Sequence, residues 1–134
     1  MVEAVFTEED KKNLKTVVEE LPKLRLEVES LRETMEILSD KELMQDIEQG
    51  KKDIAQGHIY THKQMLEELG IDEEEIWTHL STQFHKQFNC LDKPVRVRVL
   101  REIEVLENNP LAGKALTSDL QGLRSFRVGN YRVI

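Results

Sequence analysis

Three arginines near residue 130 are the side chains whose type and spacing most clearly suggest chemistry. Two short apolar-rich runs flank Gly129 and Asn130, a pair able to adopt the positive φ that a tight hairpin needs. Arg124, Arg127 and Arg132 would then lie on one small sheet. Each guanidinium stays cationic and offers several donors suited to phosphate. The stretch therefore predicts a hairpin that could bind a phosphate group.

The charge of the chain is divided unevenly along its length. The 134 residues carry a formal net charge of -7. Residues 1–76 contain 10 Lys/Arg against 21 Asp/Glu, whereas residues 77–134 contain 9 against 5. An acidic half joined to a basic half suggests that they neutralise each other, or that the basic half binds a polyanion that the acidic half can mask. The alternative is two solvated faces without mutual contact.

Composition narrows the class of protein. The single cysteine, Cys90, cannot form an internal disulfide and fits a reducing compartment. No apolar run approaches the ~20 residues of a membrane span, and the amino terminus lacks the basic flank of a signal peptide. The acidic half has no basic recognition helix of the kind that reads DNA. We expect a soluble cytoplasmic protein with no membrane partner.

A long heptad pattern dominates the acidic half. Thr7, followed by three carboxylates, predicts the start of a helix. Pro22 lies inside this helix and predicts a kink or a restart. The pattern is typical of a helix that packs along another helix, either within the chain or in a dimer, and we expect a homo-oligomer. Its apolar residues, here called the heptad seam, alternate at spacings of three and four: Leu14, Val17, Leu21, Leu24, Val28, Leu31, Met35 and Leu38.

Shorter amphipathic helices follow the heptad seam. Capping-box patterns begin at Ser39 and at Thr61, and glycines end both helices. Such segments are typical of a chain that wraps a partner. His58 and His62 are four residues apart, but no third ligand lies nearby, so we expect exposed histidines and neither a metal nor a cofactor. The predicted apolar faces contain Leu43, Ile47 and Ile54 in the first helix and Met65, Leu66 and Leu69 in the second.

The basic half reads as a strand, two helices and a hairpin. Residues 76–80 alternate apolar and polar, and Ser81 and Asp92 are the predicted caps of the two helices. The chain is therefore predicted to be α+β, with an all-α region 1–70, a linker 71–76 and a small β-α-α-β-β module 77–134. The predicted core of this module contains Phe84, Phe88, Leu106, Phe126 and Val128.

At this point the residues resemble a known family. The module is similar to the RelE/ParE toxin superfamily of prokaryotic type II toxin-antitoxin systems. Residues 39–70 resemble, more weakly, the small helical antitoxins that accompany such toxins. The resemblance is carried by Phe84-x-x-x-Phe88-x-x-Leu91, Asn109-Pro110-x-x-Gly113-Lys114-x-Leu116 and Asp119-Leu120-x-Gly122-Leu123-Arg124-x-Phe126-Arg127-Val128-Gly129-Asn130-Tyr131-Arg132-Val133-Ile134.

The resemblance implies an activity and a set of residues. RelE-type toxins cleave mRNA in the ribosomal A site, with the 2'-hydroxyl as nucleophile and basic side chains around the scissile phosphate. Arg127 and Arg132 fall at such catalytic positions, and Lys114, Arg124 and Tyr131 at RNA-binding positions. The implied partners are a cognate antitoxin or toxin chain and the ribosome with its mRNA. The structural alternative is that the arginines only form salt bridges with the acidic half.

The sequence departs from the family after Ile134, where the usual pattern continues into a further strand with the remaining catalytic side chains. We therefore expect an unpaired sheet edge and a weak or inactive ribonuclease. His79 and His85 are the only imidazoles of the module, and both are distant in sequence from the hairpin. Two alternatives stay open. One is a ParE-like toxin that binds gyrase, and the other is a non-catalytic interaction or oligomerisation protein.

Overall fold

The computed structural model describes residues 5–72 and 78–134. It has the predicted α+β class with a helical N-terminal half. Among the described residues, the α-helices are α1 (Glu8–Leu38), α2 (Lys41–Gln56), α3 (His62–Glu68), α4 (Thr82–Phe88), α5 (Lys93–Ile103) and α6 (Val105–Asn108). The strands are β1 (Ile59–Thr61), β2 (His79–Ser81), β3 (Lys114–Ala115), β4 (Arg124–Val128) and β5 (Tyr131–Val133), and a 3-10 helix spans Ser118–Leu120.

Helix α1 begins where the sequence predicts. Thr7 Oγ1 accepts a hydrogen bond from the Asp10 backbone N–H, and the Asp10 carboxylate accepts one from the Thr7 N–H. The helix then runs through Pro22 as one element, so the predicted restart is wrong. Pro22 removes the donor for the carbonyl of Val18, but both residues are exposed. Water can therefore satisfy that carbonyl, and the helix continues.

The junction of α1 and α2 differs from the predicted capping box at Ser39. Ser39 instead ends α1, where its hydroxyl donates to the Met35 carbonyl at 2.7 Å. Asp40 is the actual cap of α2 and accepts from the Leu43 backbone N–H at 3.0 Å. The Ser39 hydroxyl forms its hydrogen bond with α1 and is therefore not available to α2. The Asp40 carboxylate caps α2 instead. Gly57 ends α2 with a φ of +75°, as predicted.

A two-stranded antiparallel sheet joins the two halves of the sequence. Strand β1 was not predicted, and it pairs with β2 so that Tyr60 lies opposite Leu80. Thr61 caps α3 through the predicted capping box, and Ser81 caps α4 as predicted. Ile76 and Trp77, which begin the predicted strand, lie outside the described residues. Residues on both sides of the predicted linker 71–76 thus belong to one sheet.

One hydrophobic core also spans both halves. Helix α3 packs against α5, and its apolar residues share a core with those of α4, α5 and strand β4. His62 lies inside this core with no exposed surface, and its Nε2 is 2.8 Å from the Leu100 carbonyl oxygen. The prediction of an exposed His62 is therefore wrong, because the first turn of α3 abuts α5. The buried members are Met65, Leu66, Leu69, Leu80, Phe88, Val99, Leu100, Ile103 and Val128.

Helix α2 contacts α4 through a buried carboxylate, whereas Ile54, predicted on the apolar face of α2, is 58% exposed. Asp53 is buried and accepts hydrogen bonds from the Gln49 side chain and the Gln83 backbone N–H, both at 2.9 Å. The Gln49 hydrogen bond is the main cause that lowers the pKa of Asp53, against the opposing effect of burial. Gln83 lies in the first turn of α4, so Asp53 supplies that helix with a second cap.

The predicted hairpin forms the edge of a three-stranded antiparallel sheet in the order β3-β4-β5. Gly129 has a φ of +58° at the first turn position, as a type II′ turn requires. Strand β3 was predicted as loop, because two residues are too short to show an alternating pattern. Phe126, Val128 and Val133 pack toward the main core, and residues between them in the strands face α1.

We predict that Gly113→Ala destabilises the fold by about 3 kcal/mol, because a Cβ there would both strain the backbone and overlap the Ser125 carbonyl. Gly113 has a φ of +82° and lies next to β4. Gly57→Ala is the matched control, since Gly57 has a φ of +75° with nothing within 4 Å of the new atom. The control should lose only about 1 kcal/mol in urea unfolding. Equal losses of stability in the two variants would contradict the close approach of Gly113 to the Ser125 carbonyl.

Candidate functional site

Arg127 and Arg132 lie directly opposite each other in the hairpin and form what we call the arginine pair. Cross-strand neighbours on one sheet face are close together, and like charges there repel. Strand β5 is at the edge of the sheet among the described strands, so the pair lies at an accessible border. Such a pair needs negative charge nearby, whether it comes from a ligand or from the protein itself.

Two glutamates of α1 supply that charge, and we call them the acidic cover. The Arg132 Nε donates to Glu33 Oε1 at 2.8 Å, and its Nη2 donates to Glu36 Oε2 at 2.8 Å. The side chains of Arg132 and Glu33 are only 16% and 7% exposed. One guanidinium thus holds two carboxylates spaced three residues apart on the same helix face. This contact neutralises the arginine that the resemblance placed at the scissile phosphate.

Glu33 is held in this position by a second donor. The Ser125 hydroxyl donates to Glu33 Oε1 at 2.6 Å, and Ser125 is itself buried. Burial raises the pKa of Glu33, but the hydrogen bonds from Ser125 and Arg132 and the charges of Arg132 and Arg127 together outweigh it. The net pKa of Glu33 is therefore lowered, and the carboxylate is ionised at neutral pH.

Arg127 contacts the acidic cover more loosely. Its Nη2 lies 3.6 Å from Glu36 Oε2 and its Nε lies 4.0 Å from Glu33 Oε1. The Arg127 side chain is 52% exposed, so water screens both interactions. Arg127 is thus the member of the arginine pair that an incoming anion can reach first.

Helix α1 is fixed over the sheet by residues next to the acidic cover. Thr34 is buried, and its Oγ1 accepts a hydrogen bond from the Thr117 backbone N–H at 3.0 Å. Ile37 has no exposed surface and belongs to a second cluster with Ile47, Leu116 and Leu120. These contacts set the rotation of α1 so that Glu33 and Glu36 point at the hairpin.

The three predicted RNA-binding residues are not all on the face of the arginine pair. Arg124 lies three residues before Arg127, so alternation places it on the opposite sheet face. Its guanidinium donates to the carbonyls of residues 111–113, with 3.2 Å to Ala112 and 3.0 Å to Gly113. Lys114 is exposed on β3 opposite Ser125, on the α1 side of the sheet. Tyr131 is 44% exposed on β5.

The two histidines of the basic half lie away from the arginine pair. His79 lines a surface cavity together with Arg124, Phe126 and Val133, which belong to the other face of the hairpin. His85 stacks on Tyr60 with 3.9 Å between ring centroids, and its Nε2 lies 2.9 Å from the Glu68 carboxylate. The arginine pair thus offers cations to a phosphate, but neither imidazole lies beside it.

Residues 5–72 and 78–134 contain no cluster of three or more His, Cys, Asp or Glu side chains that could hold a metal ion. Within the same ranges, every helix is too short or too polar to span a bilayer.

Sequence reasoning named the arginines but missed their partners, Glu33, Glu36 and Ser125. A usable signal existed: the two glutamates lie three residues apart and off the heptad seam, on a different side of the helix. If the heptad seam packs against one partner, the side of α1 that carries the two glutamates can pack against another. The charge of the basic half then indicates which partner that is.

We predict that Arg132→Ala destabilises the fold by about 3 kcal/mol, because it leaves Glu33 buried without its main cation. Arg127→Ala is the matched control on the neighbouring strand, and it should cost only about 0.5 kcal/mol because that side chain is half exposed. Denaturant unfolding followed by circular dichroism measures both. A loss for Arg127→Ala as large as that for Arg132→Ala would refute the ranking of the two contacts.

The lowered pKa of Glu33 predicts a pH dependence. A carboxyl with a lowered folded-state pKa contributes stability above its ordinary value of 4.5, and this is lost as the pH falls through the folded-state pKa. Wild type should therefore exceed Glu33→Gln in stability at neutral pH, and the difference should shrink in acid. Glu19→Gln, at an exposed position of α1 away from the heptad seam, serves as control. A pH-independent difference would show that Glu33 contributes packing rather than charge.

Comparisons of this chain with protein-family models, curated proteins and solved structures found no match. The geometry of the arginine pair and the acidic cover is therefore the basis for a functional assignment.

Proposed function

We propose that this chain is a toxin-antitoxin system protein in which a RelE-type, mRNA-cleaving module is held weak or inactive by an antitoxin-like segment of the same chain. The observation that carries the proposal is the double contact of Arg132 with Glu33 and Glu36, at 2.8 Å each. The carboxylates take the place that phosphate oxygens would occupy on the guanidinium. The acidic cover therefore acts as an internal competitor of RNA.

The chemistry of RNA cleavage fits this arrangement in part. Attack of a 2'-hydroxyl on the adjacent phosphate builds negative charge on the phosphorane, and cations beside it lower the barrier. Arg127 and Arg132 are the residues proposed for this role, with Lys114, Arg124 and Tyr131 as proposed RNA contacts. A leaving 5'-oxygen also needs a proton. Since His79 and His85 lie elsewhere, we expect slow cleavage even when the acidic cover is removed.

The proposal includes a setting for the protein. We propose that it acts in the cytoplasm, that ribosome-bound mRNA is its target, and that a cognate antitoxin or toxin chain can exchange with its own halves. We further propose that it is a homo-oligomer through the heptad seam, whose eight residues are 36% to 66% exposed. Exposed apolar residues at heptad spacing are unfavourable in water and favour association.

The test is an in vitro translation reaction with added ribosomes. Wild-type protein should leave the message nearly intact, whereas Glu33→Gln/Glu36→Gln should produce codon-dependent cuts at least about tenfold more often, because the arginine pair is no longer neutralised. Primer extension on the message detects the cuts.

Arg127→Ala added to that variant is the specificity control, and it should abolish the new cuts without unfolding the half-exposed site. An intact message at large protein excess with the Glu33→Gln/Glu36→Gln variant would contradict the ribonuclease proposal. Inhibition of gyrase supercoiling by the same variant would then favour the ParE-like alternative.

A further inference from the structure

The heptad seam is exposed along its whole length in a single chain. Leu14 and Val17, the first two residues of the seam, are 51% and 50% exposed, and Met35 near its end is 66% exposed. The same helix buries Glu33, Thr34 and Ile37 against the sheet, on a different side. Helix α1 thus presents two separate faces, one used within the chain and one without a partner among the described residues.

The charges that flank the heptad seam indicate which helix can pack against it. With Leu14 at position a and Val17 at position d, position g holds Glu20 and Glu27, and position e holds Arg25 and Arg32. All four side chains are exposed. In a parallel pair of helices, each g residue faces the e residue five positions further along the partner.

We infer that the partner is a second copy of this chain, joined as a parallel, in-register coiled coil. Glu20 then faces Arg25 of the second copy, and Glu27 faces Arg32, with each contact repeated by symmetry. An antiparallel pair would instead place glutamates beside glutamates and arginines beside arginines, which is unfavourable. This inference rests on the homo-oligomer proposed above and specifies its geometry.

Pro22 is compatible with this assembly. It occupies position b, one residue after Leu21, and therefore points away from the partner helix. Both copies of the hairpin would lie at the same end of the coiled coil, because α1 approaches the sheet only near its C-terminal end. Two arginine pairs, each with its own acidic cover, would then be presented side by side.

Exchanging the charges at positions e and g tests whether the two helices are parallel. Wild type should sediment with twice the 15.7 kDa mass of the chain. Glu20→Lys/Glu27→Lys should weaken the dimer by about tenfold or more, because the g and e positions then carry like charges. Adding Arg25→Glu/Arg32→Glu should restore the affinity to within about threefold. An antiparallel dimer predicts no such loss, since it would only exchange one set of like-charge neighbours for another.

Cross-linking gives an independent readout in a Cys90→Ser background, which removes the exposed native thiol. Val17→Cys should form a disulfide dimer in a glutathione buffer. Mixed Val17→Cys and Met35→Cys chains should not cross-link to each other, because the two positions are about 27 Å apart along parallel helices. A monomeric wild type, or a dominant 17-to-35 cross-link, would overturn the inference. Neither result depends on mRNA cleavage, so it leaves the ribonuclease proposal to its own test.

Discussion

Two arginines directly opposite each other at the edge of a small sheet are the constraint on which the rest of the structure depends. Arg127 and Arg132 repel, so negative charge beside the hairpin stabilises it. Glu33 and Glu36 provide that charge, and the Ser125 hydroxyl fixes one of the two carboxylates. This attraction adds to the Thr34 and Ile37 contacts that hold one side of α1 against the basic half.

Both polar and apolar contacts join the acidic half of the chain to the basic half. The pairing of β1 with β2 and the shared core around Met65, Leu66 and Leu100 hold the acidic and basic halves together. The acidic cover adds little apolar area, but it occupies hydrogen-bond donors of Arg132. A site built this way is neutral in its resting state and becomes strongly cationic when the cover is lost. The other side of α1 carries the heptad seam, so the proposed masking and the proposed association would use separate surfaces of one helix.

Local signals in the sequence predicted local structure well. The Thr7 and Thr61 caps, the Gly57 terminator and the Gly129 turn each depend on neighbouring residues, and each is present. Tertiary contacts were predicted less well. The burial of His62 depends on α5, which lies far along the chain, and strand β3 is too short to leave a pattern. The arginines were named from their place on the predicted hairpin, and strand alternation puts Arg124 on the other face. Their acidic partners were not predicted, because only the packing of α1 brings Glu33 to Arg132.

The most direct test of the acidic cover is the affinity for a short fluorescent single-stranded RNA, measured by anisotropy without ribosomes. Glu33→Gln/Glu36→Gln should bind at least about tenfold tighter than wild type, because the arginine pair is then free for phosphate. Glu9→Gln/Glu19→Gln removes the same charge from exposed positions of the same helix and should change the affinity by less than about twofold. Equal tightening in both variants would contradict the account, since it would mean that net charge alone, and not the contact with Arg132, keeps RNA away.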